Sequence, residues 1–358
     1  MMLGKDAKIY VAGHLGMVGS AIVRSLQRHG YGNTVTQTRQ ELDLLDQMAV
    51  FEFLKTERPD YVFMAAAMVG GIHANDTLRG QFIYENLAIQ TNIIHGAWLA
   101  GIGRLCFLGS SCIYPRNCPQ PIREDYLLTG PLELSNDAYA IAKIAGVKMC
   151  ESYNRQYGTE YVSLMPTNLY GPNDTYDLAL SHVLPALLRK VHLAKMAMER
   201  NVDAIRADEL RHGQIPASLL SDLGCERVLQ GQIRLSDSLG PKTGIVVWGS
   251  GKPMREFLYV DDMADACVFV MKSDISEGLY NVGTGADVTI SELVDTIMDV
   301  VGFQGDIVFD ASKPDGTPRK LLDVSKLGKF GWHSHTSLPH GIALAYKNFA
   351  DQRYVKYD

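Results

Sequence analysis

The sequence has little that would serve a membrane, a disulfide framework or a nucleic acid. No uninterrupted apolar run approaches the ~18 residues of a membrane span. The opening "MMLGKDAKIYVAG" is interrupted too soon for a signal peptide. Six cysteines in 358 residues form no CxxC pair, and a chain this long needs no disulfide staples. No long basic block is present and the formal net charge is −6, which argues against nucleic acid as a partner. No metal, repeat or low-complexity tract is expected. What remains is 46% hydrophobic and 21% charged, ample for a core. The expectation is a soluble, cytoplasmic protein with free thiols.

Strand-like and helix-like segments alternate through the first half. "KIYVAG", "NTVTQT", "DYVFMAAA", "RLCFLGSS" and "YVSLMP" read as strands. "GSAIVRSLQRHG", "QMAVFEFLKTE", about 77–100 and about 136–157 read as helices. This order predicts an α/β fold, a doubly wound parallel sheet of Rossmann type with helices on both faces. Ligands of such sheets bind beyond the C-terminal strand ends. After "SHVLPALLRKVHLAKMAMER", residues about 196–244 are charged and irregular and read as a surface insertion or small subdomain. The alternation resumes with "GIVVWGSG", "VDDMADACVFVMK", "GLYNVG", "TISELVDTIMDVVG" and "DIVFD". The expected division is a nucleotide domain over 1–175, joined by part of 245–285. A smaller α/β substrate domain takes most of 176–358.

"VAGHLGMVGSAIV" sets Gly13, Gly16 and Gly19 three apart between a strand and a helix. Glycines allow a tight turn and bring backbone N–H groups to a pyrophosphate at the helix N-terminus. The second strand ends in "TQTRQ", with Arg39 where an NAD binder usually places an acid. A cation suits a 2′-phosphate and predicts NADP(H). The alternative leaves Arg39 solvated and gives Glu41 the acidic role.

"NDAYAIAKIAG" puts Tyr139 and Lys143 four apart, on one helix face. A free Tyr titrates near ~10, and a neighbouring ammonium would bring it towards useful acidity. Ser110 or Ser111, at the end of "RLCFLGSS", completes a set that hydrogen-bonds a carbonyl oxygen.

In order, "AGHLGMVGSAI", "AAAMVGGIHAN", "FLGSSCIYP", "YAIAKIAG", "ESYNRQYG", "MPTNLYGP", "SHVLPALLRK", "VWGSGKPMREFL" and "FDASKPDGTPRKLLD" occupy nearly the whole chain outside about 193–244. This series resembles the GDP-L-fucose synthase family of the extended short-chain dehydrogenase/reductase superfamily. The resemblance implies NADPH-dependent epimerisation at C3 and C5 of a GDP-4-keto-6-deoxymannose, then reduction at C4. It implies Ser110, Cys112, Tyr139, Lys143 and His182 as catalytic residues, with Cys112 as base and His182 as acid. It implies cofactor contacts from Gly13, His14, Gly16, Met17, Val18, Gly19 and Arg39. Further cofactor contacts come from Leu108, Gly109, Ser110, Ser111, Lys143, Pro166, Thr167, Asn168, Leu169 and His182. Lys190, Trp248, Arg255 and Asp315 would bind the GDP-sugar, and a homodimer is implied. Leu15 replaces a basic residue of some relatives, and Lys190 stands where Arg is frequent and loses its bidentate fork. Rival readings are a relative acting on a GDP-colitose precursor or GDP-heptose, a 4,6-dehydratase, and a non-catalytic NADP sensor.

Overall fold

The computed structural model describes residues 4–228, 231–236, 244–313 and 315–351. The chain begins with β1 (Ile9–Ala12), α1 (Met17–Arg28), β2 (Thr34–Val35), α2 (Gln47–Glu57) and β3 (Tyr61–Met64). It continues through α3 (Ile72–Thr77), α4 (Arg79–Leu99), β4 (Arg104–Leu108), α5 (Asp137–Tyr157) and β5 (Glu160–Pro166). Local signals account for several limits. Asp46 caps α2 by accepting from the Ala49 amide at 3.0 Å. The α1 helix buries Ala21, Ile22, Ser25 and Leu26 on one stripe.

The main sheet runs β2, β1, β3, β4, β5 and then a late strand, β12 (Gly278–Val282), all parallel. This is the α/β class expected from the sequence. Strand side chains alternate between two cores. Ile9, Val11, Cys106 and Leu108 face one core with α1. Tyr10, Ala12, Leu105 and Phe107 face the other with α2, α4 and α5. Strand order reverses between β1 and β3, the place where such sheets open a ligand crevice.

From β5 the chain enters β6 (Asn168–Tyr170) and α6 (Val183–Met198). Residues 196–244, expected to be irregular, instead contain α7 (Val202–His212), α8 (Ala217–Asp222) and an antiparallel pair, β7 (Cys225–Arg227) and β8 (Ile233–Leu235). Residues 229–230 and 237–243 of that stretch, and 352–358 of the expected substrate domain, lie outside the described residues. Nor is the stretch merely superficial, because Ile205, Ile215, Leu219, Leu220, Leu223, Cys225 and Ile233 enter a third core. Arg189 on α6 is fully buried and pins this segment. It donates to Asp208 at 2.8 Å and to the carbonyls of His212 and Gly213 at 2.9 and 2.6 Å. Asp208 in this segment is therefore the buried partner of an interior arginine, where the sequence alone presents a surface acid.

Beyond it lie β9 (Gly244–Trp248), β10 (Met254–Arg255), β11 (Phe257–Tyr259) and α9 (Val260–Lys272). The β11 strand pairs with β6, and α9 lies on α1, where Arg24 meets Asp261 at 2.6 Å. After β12 come β13 (Val288–Thr289), α10 (Ile290–Val301) and β14 (Asp306–Asp310). The chain closes through β15 (Arg319–Lys320), α11 (Ser325–Gly328) and α12 (Leu338–Ala350). A reciprocal capping box between Thr289 and Glu292 starts α10. The third core collects α6, α7, α8, α10 and α12 around β9.

Candidate active site

The glycine loop leads directly from β1 into α1. Gly13 has φ +83°, and a Cβ there would stand 2.7 Å from the Ala66 amide nitrogen. A Cβ on Gly19 would stand 2.1 Å from the Gly13 carbonyl oxygen. Only glycine fits either place, so the loop hugs β3 and leaves the α1 N-terminus open. Gly16 caps α1 without a side chain, and no acidic residue occupies the first turn. Met17 and Val18 thus present amides to an anion. This is the cradle a dinucleotide pyrophosphate needs.

Glu41 is engaged locally. Its carboxylate accepts from the Thr38 amide at 2.8 Å and the Thr38 hydroxyl at 2.9 Å. Burial lowers the His14 imidazole pKa, and the Glu41 charge opposes that fall. Arg39 is exposed and has no hydrogen-bond or ion-pair partner among the described residues. Leu15 is 41% exposed in the loop itself.

Seven residues expected to bind or react gather at the end of β4: Leu108–Cys112 on the chain leaving the strand, and Tyr139 and Lys143 on α5. A Cβ on Gly109 would strike the Met165 Cε at 2.0 Å, so the backbone there lies flat on β5. Ser110 is extended, and its hydroxyl accepts from the Cys112 amide at 3.4 Å. Ser111–Ile113 form one turn of 3₁₀-helix, which buries Ser111 and Cys112. On α5, Lys143 is buried and donates to the Leu108 carbonyl at 2.8 Å. Its Nζ lies 5.7 Å from the Tyr139 ring centroid.

The electrostatics differ from the simple expectation that Lys143 acidifies Tyr139. Burial pushes the Tyr139 phenol far up, and the nearby Cys112 adds to the rise. Lys143 itself is pushed down to about 8 by burial. Burial also raises Cys112, opposed first by Lys320, then by the Ser110 hydrogen bond and Lys143. His182, the N-cap of α6, is lowered by burial and again by Lys320. One lysine is therefore felt by both expected proton carriers.

Lys320 was legible only as part of a motif. The parallel β10–β15 pair sets Lys320 opposite Arg255, a non-local match of two-residue strands with no local signal. Lys320 and Cys112 line the same cavity of about 60 Å³, with Asn136, Arg116 and Glu133 on its wall.

The residues expected to bind the GDP-sugar form a second group. Trp248 is 69% exposed, with Lys190 at 5.9 Å and Lys313 at 5.5 Å from its ring. Lys313 is a further cation beside the indole. Lys190 donates to the Val246 carbonyl at 3.4 Å. Asp315 accepts from the Ser250 amide and hydroxyl at 2.8 and 2.7 Å, so it braces the turn after β9. Burial lowers Arg255, and Asp315 opposes that.

Between the two groups, Pro166 ends β5. Thr167 and Asn168 bond the Glu256 carbonyl from Oγ1 at 3.2 Å and Nδ2 at 2.8 Å. Leu169 follows within β6.

Residues 9–207 and 223–283 match the NAD dependent epimerase/dehydratase family. The chain is 51% identical to "Putative GDP-L-fucose synthase 2" of Arabidopsis thaliana, over 97% of this chain and 92% of that one. It is 48% identical to the GDP-L-fucose synthase of Escherichia coli K12, over 97% of each. Among solved structures it resembles the GDP-mannoheptose C4 reductase of Campylobacter jejuni with NADP bound. That match has 39% identity, a TM-score of 0.80, and covers 97% of this chain and 99% of the other. No helix among the described residues is long and apolar enough to cross a membrane. From the crevice cradle, the β4-end cluster and these near full-length matches, the chain belongs to the NAD dependent epimerase/dehydratase family and, within it, to the GDP-L-fucose synthases.

Proposed function

We propose that the chain converts GDP-4-keto-6-deoxy-D-mannose to GDP-L-fucose, inverting C3 and C5 and then reducing C4 with NADPH. The observation that carries this reading is Cys112 beside Ser110, Tyr139 and Lys143, with Lys320 joining it electrostatically to His182. A plain reductase needs only the hydroxyls and the lysine. A thiol and an imidazole add proton transfer at carbon.

The C4 ketone makes the hydrogens on C3 and C5 acidic. Ser110 and Tyr139 donate hydrogen bonds to the C4 oxygen, where the enolate charge collects. Cys112 takes a proton from one face in its thiolate form, which burial disfavours and Lys320 favours, and His182 gives one to the other face in its imidazolium form, which burial and Lys320 both disfavour. Each inversion leaves the pair reversed, and exchange with solvent resets it. NADPH, when bound, supplies the hydride that C4 receives. Tyr139 passes its proton to the C4 oxygen, and Lys143 holds the ribose side in place. Gly13, His14, Gly16, Met17, Val18, Gly19 and Arg39 would hold the adenosine and pyrophosphate, with Leu108–Ser111 and Pro166–Leu169 at the nicotinamide end. The cradle closed to any Cβ at Gly13 and Gly19 supports this fit.

The half built on the third core is the GDP-sugar side in this reading. Lys190 and Arg255 face the diphosphate, Trp248 the base, and Asp315 keeps its turn in place. The chain is cytoplasmic and homodimeric in the same reading. Exposed Tyr84, Leu99, Ile141 and Tyr157 on α4 and α5 support a dimer face. A monomeric mass in solution overturns that part.

The test is NADPH consumption with GDP-4-keto-6-deoxymannose and NMR of the product. GDP-L-fucose is expected. A product reduced at C4 with C3 and C5 unchanged would match a simple C4 reductase and overturn the proposal.

A further inference from the structure

Glu256, between β10 and β11, is fully buried. A buried carboxylate costs several kcal/mol to desolvate unless well bonded. Glu256 has no cationic partner among the described residues; backbone amides hold it instead. One oxygen accepts from the Thr284 and Gly285 amides, each at 2.7 Å. The other accepts from the Leu322 amide at 3.0 Å. Leu322 follows Lys320 by two residues, and Arg255 directly precedes Glu256. The Glu256 carbonyl, in turn, holds Thr167 and Asn168.

Arg255 and Lys320 are like charges opposite each other in register. They repel, and both lose solvation by burial. A cation pair of this kind binds a diphosphate more tightly when its backbone is fixed beforehand. We infer that Glu256 is a positioning residue, whose carboxylate fixes the Arg255–Lys320 pair for a nucleoside diphosphate. The inference rests on the reading of Arg255 as a GDP-sugar ligand. The carboxylate braces the 284–285 turn and the strand that follows Lys320, and it also meets the Thr167 side chain, while the carbonyl holds Thr167 and Asn168. Glutamine cannot replace the carboxylate, because its amide nitrogen would meet an N–H donor.

The experiment uses the full chain with GDP as probe. Glu256→Gln should raise the GDP Kd and the KM for the GDP-sugar about tenfold, with kcat within about threefold. The NADPH Kd should stay within about twofold, since the carbonyl remains. Gly283→Ala is the second variant and carries the test should Glu256→Gln not fold. Its Cβ would lie 2.3 Å from the Glu256 Oε1, displacing the carboxylate without removing it. It should weaken GDP in the same direction, by about threefold. A folded variant with reduced thermal stability and wild-type GDP affinity overturns the inference, leaving Glu256 a brace. Arg255→Ala separates the two failures. If it weakens GDP while the Glu256 and Gly283 variants do not, the inference alone falls. If it leaves GDP binding unchanged, the reading of Arg255 falls and takes the inference with it.

Discussion

Lys143 gives its ammonium hydrogen to the Leu108 carbonyl at 2.8 Å, at the very residue that ends β4. That bond anchors α5 to the strand carrying the serines, and it leaves a cation in a dry place. The consequence is a pH-dependent stability. Burial lowers Lys143 to about 8 from an ordinary 10.5. Below pH 8 it is charged both folded and unfolded, and the folded state bears the whole desolvation cost. As pH rises from 8 towards 10.5 that cost disappears. Measured without cofactor, the stability of the wild type relative to Lys143→Met should therefore rise across this window. A pH-independent difference would count against it.

Lys320→Met removes the cation that opposes the rise at Cys112 and adds to the fall at His182. Both groups should then hold protons to higher pH. The midpoint of Cys112 alkylation by iodoacetamide should move up, and so should the His182 ring titration followed by NMR. A shift in neither would separate Lys320 from the proton carriers.

Cys112→Ser and Tyr139→Phe should fail differently. Without the thiol, deuterium wash-in at C3 and C5 should drop by roughly a hundredfold or more. Without the phenol, wash-in should persist at a reduced rate while C4 reduction falls by a similar factor. Wild-type exchange in Cys112→Ser removes the base role.

Leu15→Arg restores a cation to an exposed place in the glycine loop. NADPH affinity should rise by about threefold to tenfold, while NADH affinity stays put. Equal gains for both cofactors would mean that the new guanidinium contacts the shared pyrophosphate.

What could be read from sequence was local. The glycine loop, the α5 pair and the strand alternation each lie within a few neighbouring residues, so periodicity and spacing expose them. The resemblance carried Cys112 and His182, which composition would have left as a strand-end thiol and a helix-start imidazole. Lys320, Lys313 and Glu256 lie inside matching motifs, but nothing in the motifs singles them out. Lys320 depends on strands of two residues pairing across a long stretch of chain, Lys313 on the pairing of β14 with β9, and Glu256 is a buried carboxylate that sequence presents as one more surface acid. Arg189 shows the same limit, since an interior cation looks like any other until Asp208 is found beside it. The acidification of Tyr139 by its helix neighbour was also a local inference, and in the folded chain burial, with Cys112 adding to it, raises the phenol instead.

Residues 278–282 complete the sheet begun by residue 9. A ribosome must therefore release most of the chain before β5 gains its outer neighbour and α1 its cover of α9. A fragment ending near residue 175 would expose an unpaired parallel edge and an apolar helix stripe, a template for aggregation. Assembly of the nucleotide half thus waits on long-range closure, which makes it slow by nature. Expression screens of this protein should keep the chain whole, because the natural place to cut it on paper is where its folding is least finished.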